Sequence, residues 1–180
     1  MKKKYDNFFL DRDGIINEIV MREGKVSSPW RFNEFNLLAE SKEFINLLFR
    51  CKKSVFVVTN QPDISRKNLK IDDLNKMHSY LFKLYGFNEI MACIHDEDDR
   101  CACRKPKPGL ILDVINKYGL EKKTCCMIGD SHKDISAAQN AEIDSFFYET
   151  TYNIEHIGKL PKNRSNVYIF RDFNELECII

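Results

Sequence analysis

Apolar residues follow two different rhythms along this chain, and the two alternate. Phe8-Phe9-Leu10, Val55-Phe56-Val57-Val58 and Cys125-Cys126-Met127-Ile128 are short continuous runs bounded by polar residues, the pattern of strands covered on both faces. After the first of these, strands are expected near residues 54–59, 89–93, 124–128 and 144–148, and a further apolar stretch covers 167–170. Between the runs, apolar positions return at helical spacing, which predicts helices near residues 40–50, 71–85, 108–118 and 131–141. Pro108 suits the first turn of its helix and Gly119 its end, while Asp172 can cap a short terminal helix. Residues 159–166 read as loop. Strand and helix in alternation specify an α/β fold, with a parallel sheet covered by helices.

Composition sets bounds on this picture. The 180 residues can bury a core without staples and show no internal repeat or low-complexity linker, so residues 1–180 are expected to form a single domain. A formal charge of +1 gives no reason to expect nucleic acid, and no apolar run is long enough to span a bilayer, so no membrane partner is expected either. A monomer is the expected state. Met1-Lys2-Lys3-Lys4 leads into only a few apolar residues before Asp11, which is not a secretory signal pattern. A cytoplasmic location with reduced thiols is therefore expected.

Four polar clusters fall at or near the ends of these elements: Asp11-Arg12-Asp13-Gly14, Thr59-Asn60-Gln61, Lys105-Pro106-Lys107-Pro108 and Gly129-Asp130. Two carboxylates one residue apart across a turn can divide labour, one attacking phosphorus while the other handles the leaving-group proton. The Thr59 hydroxyl can donate to a phosphate oxygen, and an ammonium at Lys105 can neutralise charge on a transferring phosphoryl group. Asp130 adds an oxygen ligand suited to magnesium, a hard ion that prefers one or two carboxylates plus substrate phosphate. These clusters read as a magnesium-dependent phosphoryl-transfer site.

In these motifs, and in their order over roughly residues 6–149, the chain resembles the haloacid dehalogenase superfamily of phosphatases. The resemblance implies a Rossmann-like three-layer sandwich with a mainly parallel central sheet and, here, no large cap domain. It implies Asp11 as the nucleophile that forms an aspartyl-phosphate, Asp13 as general acid and then base, and Thr59 and Lys105 as phosphate-binding groups. It also implies that Asp11, the carbonyl of Asp13 and Asp130 bind magnesium. Asp134, one helical turn after Asp130, looks like the second acid of the last motif, placed to support the ligands.

A second constellation lies between residues 93 and 103. Cys93, His95, Cys101 and Cys103 make the Cys3His donor set of a closed structural zinc site. The acidic residues 96–99 lack calcium-loop spacing and read as the solvated tip between ligands. Zinc here would fix Cys103, two residues from Lys105, and position the site without doing chemistry. This loop resembles that of one superfamily branch, the heptose 1,7-bisphosphate and histidinol-phosphate phosphatases. Its five-residue spacing is like the histidinol-phosphate enzymes, and residues 104–109 are closer to the heptose side.

The expected activity is hydrolysis of a small phosphorylated metabolite, a sugar bisphosphate of surface-heptose biosynthesis. A histidinol-phosphate phosphatase and a zinc-stabilised non-catalytic binding protein are the alternatives. Asn60, Arg66 and Arg104 are candidate substrate contacts, and the basic residues Arg22 and Lys25 in the 17–36 segment can cover a phosphosugar. Pro62-Asp63 and Lys67 depart from the branch's usual residues beside the substrate mouth. Trp30 and Phe32 are read as satellite core, and Cys51, Cys125, Cys126 and Cys178 as packing thiols. His132 is a possible substrate contact, whereas His78 and His156 read as surface or helix residues.

Overall fold

The computed structural model describes residues 3–163 and 165–180; Met1 and Lys2 of the basic start and Arg164 of the 159–166 loop lie outside the described residues. Along the chain run β1 (Asn7–Leu10), β2 (Val20–Arg22), β3 (Lys25–Ser27), α1 (Ala39–Arg50), β4 (Ser54–Asn60), α2 (Ile71–Tyr85), β5 (Glu89–Cys93), α3 (Gly109–Tyr118), β6 (Cys125–Gly129), α4 (His132–Ala141), β7 (Asp144–Tyr148), α5 (Ile154–Ile157) and β8 (Val167–Phe170). Six strands form one sheet in the order β5-β4-β1-β6-β7-β8, with every neighbouring pair parallel. The three continuous apolar runs are β1, β4 and β6, the strands at its centre.

Successive side chains of these strands point to opposite faces, so each run feeds two cores. Phe8, Leu10, Val55, Val57, Cys126 and Ile128 meet Phe44, Ile45 and Leu48 of α1 and Leu74, Met77 and Leu81 of α2. Phe9, Phe56, Val58, Cys125 and Met127 face Leu110, Ile111, Val114 and Ile115 of α3 and the alanines 137, 138 and 141 of α4. Burying one such Phe or Leu side chain contributes about 1.5–3 kcal/mol, so both layers are held by the strands' two-sided hydrophobicity. The expected three-layer α/β sandwich is the observed architecture.

Differences are local. Pro108 is the N-cap of α3, which starts at Gly109, and the terminal element is a 3-10 turn, Phe173–Ile179, capped as expected by Asp172. The 17–36 segment contains the antiparallel pair β2–β3, turned at Glu23 and Gly24 with φ of 49° and 74°, as in a type I′ hairpin. Cys51 is exposed at the end of α1, which corrects its reading as a packing thiol, while Cys125 and Cys126 are buried in β6. Cys93, Cys101, Cys103, Cys125 and Cys126 carry free thiols. Among the described residues no helix is long and apolar enough to cross a membrane.

Candidate active site

The site is assembled where the three central strands end. Leu10 is in register with Val57 of β4 and Ile128 of β6, so Asp11, Thr59 and Asp130 emerge side by side at the carboxyl edge. From β1 the chain passes to β4 on one side and later to β6 on the other, which makes this the switch point where open α/β sheets bind ligands. Asp11 is anchored by its own N–H, which donates to Ile128 O at 2.9 Å. Gly14, at φ 81°, lets the chain turn beneath Asp130; a Cβ there would collide with the Asp130 carboxylate.

Lys105 enters from the loop before α3 and is buried. Its ammonium lies 2.8 Å from Asp11 Oδ1 and 2.6 Å from Asp134 Oδ1, and donates to Val58 O at 2.8 Å. All three N–H donors are thereby used. Burial alone would lower its pKa; Asp11 and Asp134 outweigh burial and hold it above the ordinary lysine value. Asn60 seats the residue: its amide donates to Lys105 O and accepts from Lys105 N, each at 3.0 Å. The amide proposed from sequence as a substrate contact is thus engaged by the lysine backbone, although Asn60 also lines the cavity.

The start of α4 fixes Asp134. Ser131 caps the helix, and Asp134 Oδ2 closes the capping box by accepting from Ser131 N at 3.0 Å. With its other oxygen on Lys105, this carboxylate supports its neighbours. One carboxylate oxygen each from Asp11, Asp130 and Asp134 lies within 4.8 Å of the others. Burial and then Asp134 push Asp11 up to about 7, and burial with Asp11 and Asp134 drives Asp130 well above the carboxylate range. Carboxyls so crowded and desolvated fit a hard divalent cation, which would relieve their repulsion.

Asp13 lines the same cavity, but its carboxylate is held by protein groups on both oxygens. Oδ1 accepts from Arg12 and from Asn17 at 2.9 Å, and Oδ2 accepts from Gln61 at 2.7 Å. Gln61 also donates to Thr59 Oγ1 at 2.9 Å, tying the two polar strand ends together. On the far wall, Tyr152 donates to Asp130 Oδ2 at 2.9 Å and Asn153 donates to Asp130 O at 2.8 Å. Sequence reasoning passed over Asn17, Tyr152 and Asn153, and saw Arg12 only as the residue between two motif aspartates. Gln61 was visible only as a neighbour of Thr59.

These groups open into a cavity of about 670 Å³. Its mouth carries Arg22 and Lys25 from the hairpin, Arg66, Arg104 and Lys133, interspersed with the carboxylates of Glu23, Asp63 and Glu97. Arg104 donates to His95 O at 3.2 Å, and Arg66 forms a two-pronged pair with Asp96 at 2.6 and 2.7 Å. The 96–99 run is a solvent-facing 3-10 turn, as expected of a tip between the ligands, with Asp96 as its N-cap. Trp30 packs against the core and also lines the cavity, with the Arg22 guanidinium 4.0 Å from its ring centroid. Phe32 is 41% exposed and stacks on Phe35. His156 lines the cavity, whereas His132 lies against the His156 ring with centroids 4.9 Å apart.

Beyond β5, the four zinc candidates converge. Cys93 Sγ is 3.6 Å from Cys101 Sγ and 3.2 Å from Cys103 Sγ, and His95 Nδ1 is 3.3 Å from Cys103 Sγ. These spacings are far too long for a disulfide and fit donors gathered around one ion, with three soft sulfurs and an imidazole as zinc prefers. Lys107 braces the loop by donating to Cys101 O at 2.5 Å.

Comparison with known proteins agrees with this geometry. The family model for HAD-hydrolase-like proteins matches residues 102–176. The D-glycero-beta-D-manno-heptose-1,7-bisphosphate 7-phosphatase of Helicobacter pylori is 38% identical over 144 residues, covering 75% of this chain and 78% of that protein. The D-glycero-alpha-D-manno-heptose-1,7-bisphosphate 7-phosphatase of Mycobacterium tuberculosis is 31% identical over 138 residues, covering 73% and 70%. Among solved structures, the D,D-heptose 1,7-bisphosphate phosphatase from B. bronchiseptica, complexed with magnesium and phosphate, has a TM-score of 0.80 at 26% identity, covering 93% of each chain.

Proposed function

The chain belongs to the haloacid dehalogenase-like hydrolases, in the branch of the heptose-bisphosphate phosphatases, and we propose that it removes the 7-phosphate of D-glycero-D-manno-heptose 1,7-bisphosphate. It is a phosphoric monoester hydrolase. The observation that carries the reading is Asp11, buried at the switch point between Lys105 and two further carboxylates, with Asp13 lining the same cavity.

In the proposed reaction, Asp11 attacks phosphorus in line and forms an aspartyl-phosphate. Asp13 protonates the departing sugar oxygen, then takes a proton from the water that hydrolyses the acyl phosphate. Lys105 neutralises charge on the phosphoryl oxygens, and the Thr59 hydroxyl orients them. Magnesium, held by Asp11, Asp130 and the Asp13 carbonyl, would supply further charge neutralisation at the phosphoryl group. Arg104, with the other cations of the mouth, is proposed to hold the second phosphate. Its expected signature is a preference for the bisphosphate over heptose 7-phosphate.

Arg104→Ala tests that assignment. Losing one charged hydrogen-bond partner costs about 1.5–3 kcal/mol, so kcat/KM on the bisphosphate should fall ~10- to 150-fold. Activity on acetyl phosphate, which has no second phosphate, should change little. Equal losses on both substrates would place Arg104 at the reacting phosphate instead.

The zinc proposal has an independent check. Protein purified under reducing conditions should contain about one zinc per chain, and removing it should loosen residues 93–103 and disturb Arg104 and Lys105. Alkylation of Cys93, Cys101 and Cys103 as rapid as that of exposed Cys51, in protein free of zinc, would contradict it.

A further inference from the structure

We propose that His78 is a positioning residue for Asp13, acting through Arg12; the proposal rests on the acid and base role of Asp13 argued above. Arg12 stands between the two motif aspartates, yet its side chain has no exposed surface. A buried guanidinium needs its donors satisfied. One edge of it forks onto the adjacent carboxylate: Nη2 donates to Asp13 Oδ1 at 2.9 Å and Oδ2 at 3.1 Å, and Nε donates to Oδ1 at 3.2 Å. The other edge is met by His78, whose Nε2 lies 3.2 Å from Nη1. The Phe35 ring packs against the guanidinium, 5.6 Å away.

Arginine has no acceptor, so His78 Nε2 must be the acceptor and the imidazole neutral, with its proton on Nδ1. Burial and the Arg12 charge favour that state, holding the His78 pKa down to about 3. His78 sits on α2 between Met77 and Leu81, both packed into the core, so the acceptor is held rigidly. The fork cannot pivot without breaking the His78 contact. Arg12 therefore carries the fixed position of α2 to the Asp13 carboxylate, whose remaining bonds come from Asn17 and Gln61.

This clamp suits the second half of the reaction. Asp13 is the group that takes a proton from water as the acyl phosphate is hydrolysed, and the Arg12 fork fixes the place of both its oxygens for that step. The first half, with an activated leaving group, needs no proton from Asp13. Loosening the clamp should slow acyl-phosphate hydrolysis more than its formation.

Rapid mixing of the magnesium-loaded protein with 4-nitrophenyl phosphate separates the two halves. His78→Leu removes the acceptor while keeping apolar bulk, and should lower steady-state turnover ~10- to 100-fold with KM little changed, a loss typical of a misplaced catalytic group. A stoichiometric burst of nitrophenolate should precede that slow phase. His78→Gln, whose amide oxygen can accept from Arg12, should recover most of the loss. Arg12→Lys, which keeps the charge without the fork, should reproduce the burst and serves if His78→Leu does not fold. Wild-type kinetics in His78→Leu and Arg12→Lys would overturn the proposal, as would equal loss of burst and steady phases. A wild-type protein that hydrolyses no phosphate ester would instead remove the functional reading, and this inference with it.

Discussion

Asp11→Asn should abolish turnover, lowering kcat on the order of 10⁴- to 10⁶-fold, the range seen when a covalent nucleophile is removed. An amide matches the carboxylate in shape but cannot open an acyl-phosphate route. The same change removes a buried charge. Burial and Asp134 already raise Asp11 to about 7, so ionised Asp11 opposes folding of the metal-free protein at neutral pH. The variant's thermal midpoint without metal should therefore not fall below that of the wild type. Loss of activity with stability retained is the signature of a chemical role, and a phosphate-release assay beside a melting curve reads both.

Lys105→Met should damage folding as well as catalysis. It leaves Asp11, Asp134 and Val58 O without the ammonium that binds all three. Breaking a buried ion pair from one side costs about 3–5 kcal/mol, measurable as a shift in the denaturant midpoint. The penalty should depend on pH. Lys105 lowers the Asp11 pKa, so without it the folded-state value rises further above the unfolded one. A group that binds protons more tightly when folded is stabilised by acid, so the gap between variant and wild type should narrow as pH falls from about 8 towards about 5. A pH-independent gap would show that Asp11 does not bear the unpaired charge.

Much of the fold was legible because the central strands are buried on both faces. Phe8-Phe9-Leu10 and Val55-Phe56-Val57-Val58 cannot be amphipathic surface elements, and their ends fixed where Asp11 and Thr59 would stand. The β2–β3 hairpin escaped notice because neither of its strands contains a buried residue, which leaves no hydrophobic period to read. Helix α5 has four residues, too few for helical spacing to register. In the site, Lys105 and Asp130 were visible as polar residues at motif positions. His78, Tyr152 and Asn153 were not, because nothing local marks them. They matter through approaches across 66 residues for His78 to Arg12 and 22 for Tyr152 to Asp130. Asn60 shows the opposite limit: its place at a strand end was evident, but its bonds to the Lys105 backbone depend on a loop 45 residues away.

The most direct test of the account is to quench the magnesium-loaded protein during turnover of D-glycero-D-manno-heptose 1,7-bisphosphate, reduce it with borohydride and map its peptides by mass spectrometry. Reduction converts an acyl phosphate on aspartate to homoserine. Homoserine is expected at position 11 alone, with heptose 1-phosphate as the accumulating product. Steady phosphate release with Asp11 unmodified, or with the mark on Asp13 or Asp130, would contradict it.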